Sequence, residues 1–172
     1  NNNIEIKKLT DSKKLTKIKR ENLDIYIKNN SRWSIWTASI KEIEKYNILK
    51  ASLLAMRRAI KKLKKKPTLV LIDGNKTPIL KGYKLKFIIK GDQKIPEISA
   101  ASIIAKVARD KLIKKISKKY KGYFWDQNAG YGTNKHLKAI RKLGITKFHR
   151  KKFKPVYNML RVVKSHTQIK YK

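Results

Sequence analysis

The sequence predicts an α/β domain, and three observations carry that prediction. Residues 69–72 form a continuous apolar run, bounded by Pro67 and Asp73, as a buried strand does. "YKLKFIIK", from Tyr83, has the partial alternation of a second strand. Two long apolar patterns with helical spacing, "ILKASLLAMRRAIKKLKKK" and "ISAASIIAKVARDKLIKKISKKY", lie on either side of them. Strands interleaved with helices of this length make a sheet covered by helices. Three strand patterns in all are few for a complete sheet, so the first strand or strands are expected to be missing from this chain.

In chain order, "LTDSKKLTKIKRENLDIYIKNN" opens as a polar loop around Asp11. It continues as a helix whose apolar positions are Ile18, Leu23 and Ile27. "RWSIWTAS", residues 32–39, is rich in aromatic and β-branched residues and reads as a strand. Ser39 followed by Glu42 is a capping-box signal, so a helix starts there. A break is expected at Asn47. The helix beyond it carries Leu49, Leu53, Met56, Ile60 and Leu63 on one face, a core stripe, and Pro67 stops it. "GDQKIPE" reads as a loop. The helix after it begins with serines and alanines, small enough for close packing against a neighbour. "FWDQNAGYGT" reads as a loop, "NKHLKAIRKLG" as a helix closed by Gly144, and Pro155 suits the first turn of a last helix. No internal repeat or linker divides the 172 residues, and a single domain is expected.

Composition bounds the function. Hydrophobic residues make up 41%, enough for a core, and no apolar run approaches the roughly 20 residues of a membrane span. The N-terminal residues lack the apolar stretch of a secretory signal, and a cytoplasmic protein is expected. Without cysteine there are no disulfides and no thiolate metal sites. The formal charge of +35 favours a polyanionic partner, nucleic acid above all. Lysine far outnumbers arginine, 38 to 8, as AT-rich coding would also produce. The charge therefore supports nucleic-acid binding without establishing it.

Among only 11 acidic residues, Asp73 and Asp92 follow the two central strand patterns. The carboxyl ends of strands are where α/β sheets build ligand sites. Two carboxylates at neighbouring strand ends can share a hard cation such as Mg²⁺; the alternative for "VLIDGN" is a plain Asp-Gly turn. No phosphate-binding G-x-x-x-x-G-K-[ST] loop and no G-x-S-x-G elbow is present. His136, His149 and His166 lack metal-ligand spacing and read as structural or surface residues. Tyr131, between Gly130 and Gly132, can stack on a sugar or base, or pack within its own loop.

Taken in order, "DSKKLT" at Asp11, "NILKASLLAMRRAI" at Asn47, "VLIDGN" at Val70, "KGD" at Lys90, "PEISAASIIAKVARD" at Pro96, "GYGT" at Gly130 and "HRKKFKPV" at His149 resemble one family, the type 2 ribonucleases H. The resemblance implies an RNase H-like fold, with a central mixed sheet flanked by helices. It implies endonucleolytic hydrolysis of RNA in RNA–DNA hybrids and incision at ribonucleotides embedded in duplex DNA, using Mg²⁺ or Mn²⁺; a monomer is expected. Matched residue by residue, Asp73 and Asp92 are two of the family's four metal-binding catalytic carboxylates. Tyr131 matches the tyrosine that senses the ribonucleotide. Lys13 and Lys14 match a basic loop by the active site. Lys106 and Arg109 lie on the nucleic-acid-facing helix, with Arg109 a phosphate contact.

The sequence departs from the family pattern at three places. The Asp-Glu pair that supplies the other two metal ligands, and the Gly-Arg-Gly turn that reads the 2′-hydroxyl, occur nowhere in it; both would precede residue 1. Ala129 stands where the family often has Lys, and Lys152 where Ser is common. Two other readings keep the charge but not the catalysis: an inactive nucleic-acid-binding remnant of the family, and a basic structural protein of a ribonucleoprotein particle. The second leaves "VLIDGN" and "KGD" unexplained.

Overall fold

The computed structural model describes residues 15–164. Their elements run α1 (Lys17–Asn30), α2 (Ile40–Lys62), β1 (Val70–Asp73), β2 (Leu85–Ile88), α3 (Gly91–Lys94), α4 (Pro96–Lys119), α5 (Trp125–Asn128), α6 (Asn134–Leu143) and α7 (Lys154–Lys164). They form two compact units. One runs through Thr37 and takes up again over Ser52–Ala108; the other comprises Ala38–Ala51 and the chain from Arg109 onward.

The first unit contains the sheet. Strands β1 and β2 pair in parallel, with Asp73 opposite Ile88. Val70 and Ile72 are buried, Leu71 is half-buried and Asp73 is exposed, so burial alternates along β1. The expected strand covered on both faces is therefore covered on one. Beside the sheet, Ile27 of α1 packs with Ile103, Ile104 and Val107 of α4. Leu23 joins this cluster, whereas Ile18 points to solvent. Ser99, fully buried near the start of α4, bears out the expectation of close packing there.

Two expectations fail in this unit. Residues 32–39 form no strand, because a strand is defined by its ladder and these residues pair with none among those described. Ser34 instead donates its hydroxyl to the Ala59 carbonyl, and Trp33 and Trp36 are exposed. The sheet of the described residues is accordingly two-stranded and parallel rather than mixed. Residues 91–94, expected as loop, close a single helical turn.

The second unit is helical. Tyr123, Trp125, Ala139, Ile140, Ile145, Val156 and Met159 form its core, and Ile113 and Ile116 of α4, with Tyr120 just beyond it, pack against them. Gly144 closes α6 with φ +80° and its N–H on the Ile140 carbonyl. The capping box is realised: the Ser39 N–H donates to Glu42 Oε2 at 2.8 Å, and the Glu42 N–H donates to Ser39 Oγ at 3.3 Å. Asn47 breaks α2 with φ 69°, ψ 169°, and its Oδ1 caps the following turn by accepting from the Lys50 N–H at 3.0 Å. The apolar stripe of α2 is not deep core: Leu49 is exposed and the stripe beyond it is half-buried, while Ala51 is the buried position. Among the described residues no helix is long and apolar enough to cross a membrane.

Candidate active site

Two short segments of the first unit bring Asp73 and Asp92 to one place. Parallel pairing sets the end of β1 beside the end of β2. The chain then turns at Lys90, whose backbone is left-handed (φ 55°, ψ 40°), and enters α3 with Gly91 and Asp92 as its first residues. The Gly91 N–H donates to Asp73 Oδ1 at 2.8 Å. The Asp73 carboxylate is thereby fixed to the residue that precedes Asp92.

Gly91 is required sterically. A Cβ there would meet Ile98 Cδ1 at 2.6 Å, Ile88 Cβ at 3.4 Å and Asp73 Oδ1 at 3.5 Å. The absent side chain lets backbone and carboxylate approach. A left-handed lysine beside it is the kind of local strain that tight functional turns retain.

Asp92 is buried, 4% exposed, whereas Asp73 is open to solvent. A buried carboxylate is costly unless it is hydrogen-bonded, paired or coordinated. Here the buried Asp92 directly follows the residue whose N–H holds the exposed Asp73, and in a chain of +35 charge such carboxylates are what can hold a small hard cation. All their donor atoms are carboxylate oxygens, which fits Mg²⁺ or Mn²⁺ and not a soft metal. Among the described residues no group of three or more His, Asp or Glu is placed to hold a metal ion, so these two would supply part of a shell.

The other residues predicted from the sequence lie on other elements or outside the described residues. Lys13, Lys14 and His166 lie outside the described residues. Lys106 is half-buried on α4, and Arg109, three residues on, is exposed. Tyr131 is 70% exposed, in the loop between α5 and α6. Arg109 Nη2 donates to the Ala129 carbonyl at 3.0 Å, which ties that loop to α4. Asn128, buried, clamps it from within: its Nδ2 donates to the Tyr123 carbonyl at 2.9 Å and its Oδ1 accepts from the Gly130 N–H at 2.8 Å. Gly132 passes close to Phe153 and Pro155, with room for no more than ordinary contact.

His136 and His149 are structural, as expected, and deeper than expected. Their rings stack at 5.3 Å between centroids, and His149 also lies 5.0 Å from Tyr123 and from Trp125. His136 Nδ1 meets the Tyr123 carbonyl at 2.7 Å, so that nitrogen carries the proton. His149 Nδ1 accepts from the Thr146 N–H at 2.9 Å and is the unprotonated one. Burial, with the neighbouring His136, pushes His149 down to about 4. Burial also lowers His136 and raises the Tyr123 phenol. The residues that sequence reasoning missed are Gly91, whose N–H holds Asp73, and Asn128, whose side chain clamps the loop that carries Tyr131. The glycine in "KGD" and the asparagine ahead of "GYG" were the available signals.

Comparison with known proteins points one way. The family model described as Ribonuclease HII matches residues 2–156. A ribonuclease HII of Pelagibacter ubique (strain HTCC1062) is 68% identical over 160 residues, 93% of this chain and 86% of that protein. One from Cereibacter sphaeroides (strain ATCC 17029 / ATH 2.4.9) is 48% identical over 152 residues, 88% of this chain and 72% of that protein. Among solved structures, the ribonuclease H2 of Pyrococcus horikoshii OT3 superposes with a TM-score of 0.75 at 22% identity, covering 95% of this chain and 87% of that one. The ribonuclease HII solved in complex with PCNA from Archaeoglobus fulgidus gives a TM-score of 0.67 at 23% identity, covering 90% and 82%. At those identities the likeness is one of fold.

Proposed function

The chain belongs to the ribonuclease HII family, and from that premise we propose that Asp73 and Asp92 are carboxylates of its catalytic centre. As a ribonuclease HII it is an endoribonuclease, hydrolysing the RNA strand of RNA–DNA hybrids and incising at ribonucleotides within duplex DNA. The observation that carries the site is the Gly91–Asp73 hydrogen bond, which holds one acid against the turn bearing the other.

Asp73 and Asp92 would hold Mg²⁺ or Mn²⁺, which supplies activation of the attacking water and charge neutralisation at the leaving oxygen. The chain's own part is positional. The Gly91 N–H occupies one lone pair of Asp73 and orients the other oxygen. Burial of Asp92 keeps its carboxylate in one place. The chain's excess of cations steers and retains the phosphate backbone.

Substrate contacts follow the family match. Tyr131 meets the sugar beside the scissile phosphate, and its exposure is what such a role needs. Lys106 and Arg109 on α4, and Lys13 and Lys14, contribute phosphate contacts. RNA is distinguished by its 2′-hydroxyl, which DNA lacks. The fuller mixed sheet of an RNase H-like fold, and a single catalytic domain acting as a monomer, belong to the same reading. The family match spans segments of both compact units.

A panel of four end-labelled substrates tests the assignment in the full-length protein with Mg²⁺. An RNA–DNA hybrid and a DNA duplex with one ribonucleotide should be cut; an all-DNA duplex and single-stranded RNA should not. Binding without any cleavage would favour the inactive remnant.

A further inference from the structure

We propose that Arg109 is a positioning residue for Tyr131: by holding the Ala129 carbonyl it sets the direction in which the tyrosine leaves the backbone. The inference rests on the reading of Tyr131 as the sugar contact.

The loop reaches Tyr131 through two successive left-handed residues, Ala129 (φ 48°, ψ 28°) and Gly130 (φ +79°). Glycine adopts that conformation freely, but alanine does not; it costs roughly 1–2 kcal/mol. Ala129 therefore needs outside support. Three bonds fix the amide N–H groups of the turn. Ala129 N–H donates to the Trp125 carbonyl at 2.9 Å, Gly130 N–H to Asn128 Oδ1 at 2.8 Å, and Tyr131 N–H to the Asn128 carbonyl at 2.8 Å. Arg109 fixes the other side of the turn, the carbonyl of the Ala129–Gly130 peptide, at 3.0 Å.

That peptide immediately precedes the glycine from which Tyr131 departs. Rotating it would reorient everything that follows, including a ring that is 70% exposed and takes its direction from the backbone. Gly130 lies beside the guanidinium, since a Cβ there would sit 3.9 Å from Arg109 Nη2, an ordinary contact; glycine is needed at this position for its φ of +79°. Arg109 thus acts on substrate choice through another residue, which a phosphate contact alone would not do.

A double-mutant cycle in the full-length protein separates these roles. Arg109→Ala, Tyr131→Ala and the double variant are compared on a duplex with one ribonucleotide, and their affinity for an all-DNA duplex is measured by anisotropy. Arg109→Ala should lower kcat, with KM moving less, by up to the loss seen in Tyr131→Ala, about 5- to 150-fold for a lost stacking contact. In kcat, the double variant should match Tyr131→Ala within about 2-fold, while a phosphate contact by the same side chain would show separately in KM on every duplex. Multiplying effects on kcat, or an unchanged kcat in Arg109→Ala, would overturn the proposal. Amide exchange at Gly130 and Tyr131 decides the case in which Tyr131→Ala alone is silent. The reading of the tyrosine then fails, and the tether stands if Arg109→Ala speeds that exchange and falls if it does not.

Discussion

Gly91 donates its backbone N–H to Asp73 Oδ1 across 2.8 Å, binding the end of β1 to the start of α3. The bond exists because Gly91 has no side chain between its backbone and the neighbouring isoleucines. Gly91→Ala would place a Cβ 2.6 Å from Ile98 Cδ1 and 3.4 Å from Ile88 Cβ. Overpacking of this kind costs about 1–3 kcal/mol. Displacing the N–H also removes an orienting partner of Asp73, which on the proposed reading holds metal; the expected loss is about 10- to 100-fold in activity or metal affinity. Thermal melts and turnover on a hybrid check both, and a variant unchanged in both contradicts the role given to Gly91.

Asn47 combines a cap with strain. Its φ 69°, ψ 169° lies in a region that essentially only glycine occupies freely, yet its Oδ1 caps the Lys50 N–H. Asn47→Ala loses the cap, about 1 kcal/mol, and keeps the strain. Asn47→Gly loses the same cap and releases the strain. Denaturant titration should therefore rank glycine above alanine in stability; the reverse order would mean that the kink relaxes without cost.

His149 predicts acid sensitivity. Its folded pKa of about 4 lies below the ordinary value of 6.5, so the fold prefers it neutral. Its contribution is intact above about pH 6.5 and is lost as pH falls toward 4, because the unfolded chain takes up the proton first. Protonation would also set an N–H on Nδ1 against the Thr146 N–H. His149→Phe is expected to melt lower at pH 7, since Thr146 N–H loses its acceptor, at a cost of about 1–3 kcal/mol. Its Tm should then fall less steeply than the parent's between pH 6.5 and 4.5. Parallel pH profiles would exclude His149 as the sensitive group.

Much of this was legible in the chain, for local reasons. The Ser39–Glu42 box, the break at Asn47 and the glycine after α6 are each decided within a few residues, and each appears as read. Residues 32–39 were misread because β-propensity describes a side-chain surface, whereas a strand also needs a partner. The helical turn at 91–94 was hidden by "GDQK", whose Gly and Asp signal a loop equally well. The histidine stack was invisible as a stack: Tyr123, His136 and His149 are far apart in sequence and meet only through packing. At the candidate site, the strand-end aspartates could be picked out from scarcity and position. The hydrogen bond from the Gly91 N–H to Asp73 could not, since its donor is a backbone group.

Binding to nucleic acid should be strongly salt-dependent. With 46 Lys and Arg, affinity for duplexes is expected to fall linearly in log Kd against log salt. The slope should be about 0.9 per phosphate neutralised, as on B-DNA. A titration from about 50 to 200 mM salt checks it, and affinity independent of salt would remove the electrostatic account of binding.

The central claim is that Asp73 and Asp92 carry catalysis and not affinity. The direct measurement is kcat and Kd for an RNA–DNA hybrid, with Mg²⁺, in full-length Asp73→Asn and Asp92→Asn. The account predicts turnover reduced by about 10²- to 10³-fold or more, the scale for losing one preorganised electrostatic group. It predicts hybrid affinity equal to the parent's or tighter, because each substitution removes a negative charge facing phosphate. Near-parental kcat in either variant would contradict it.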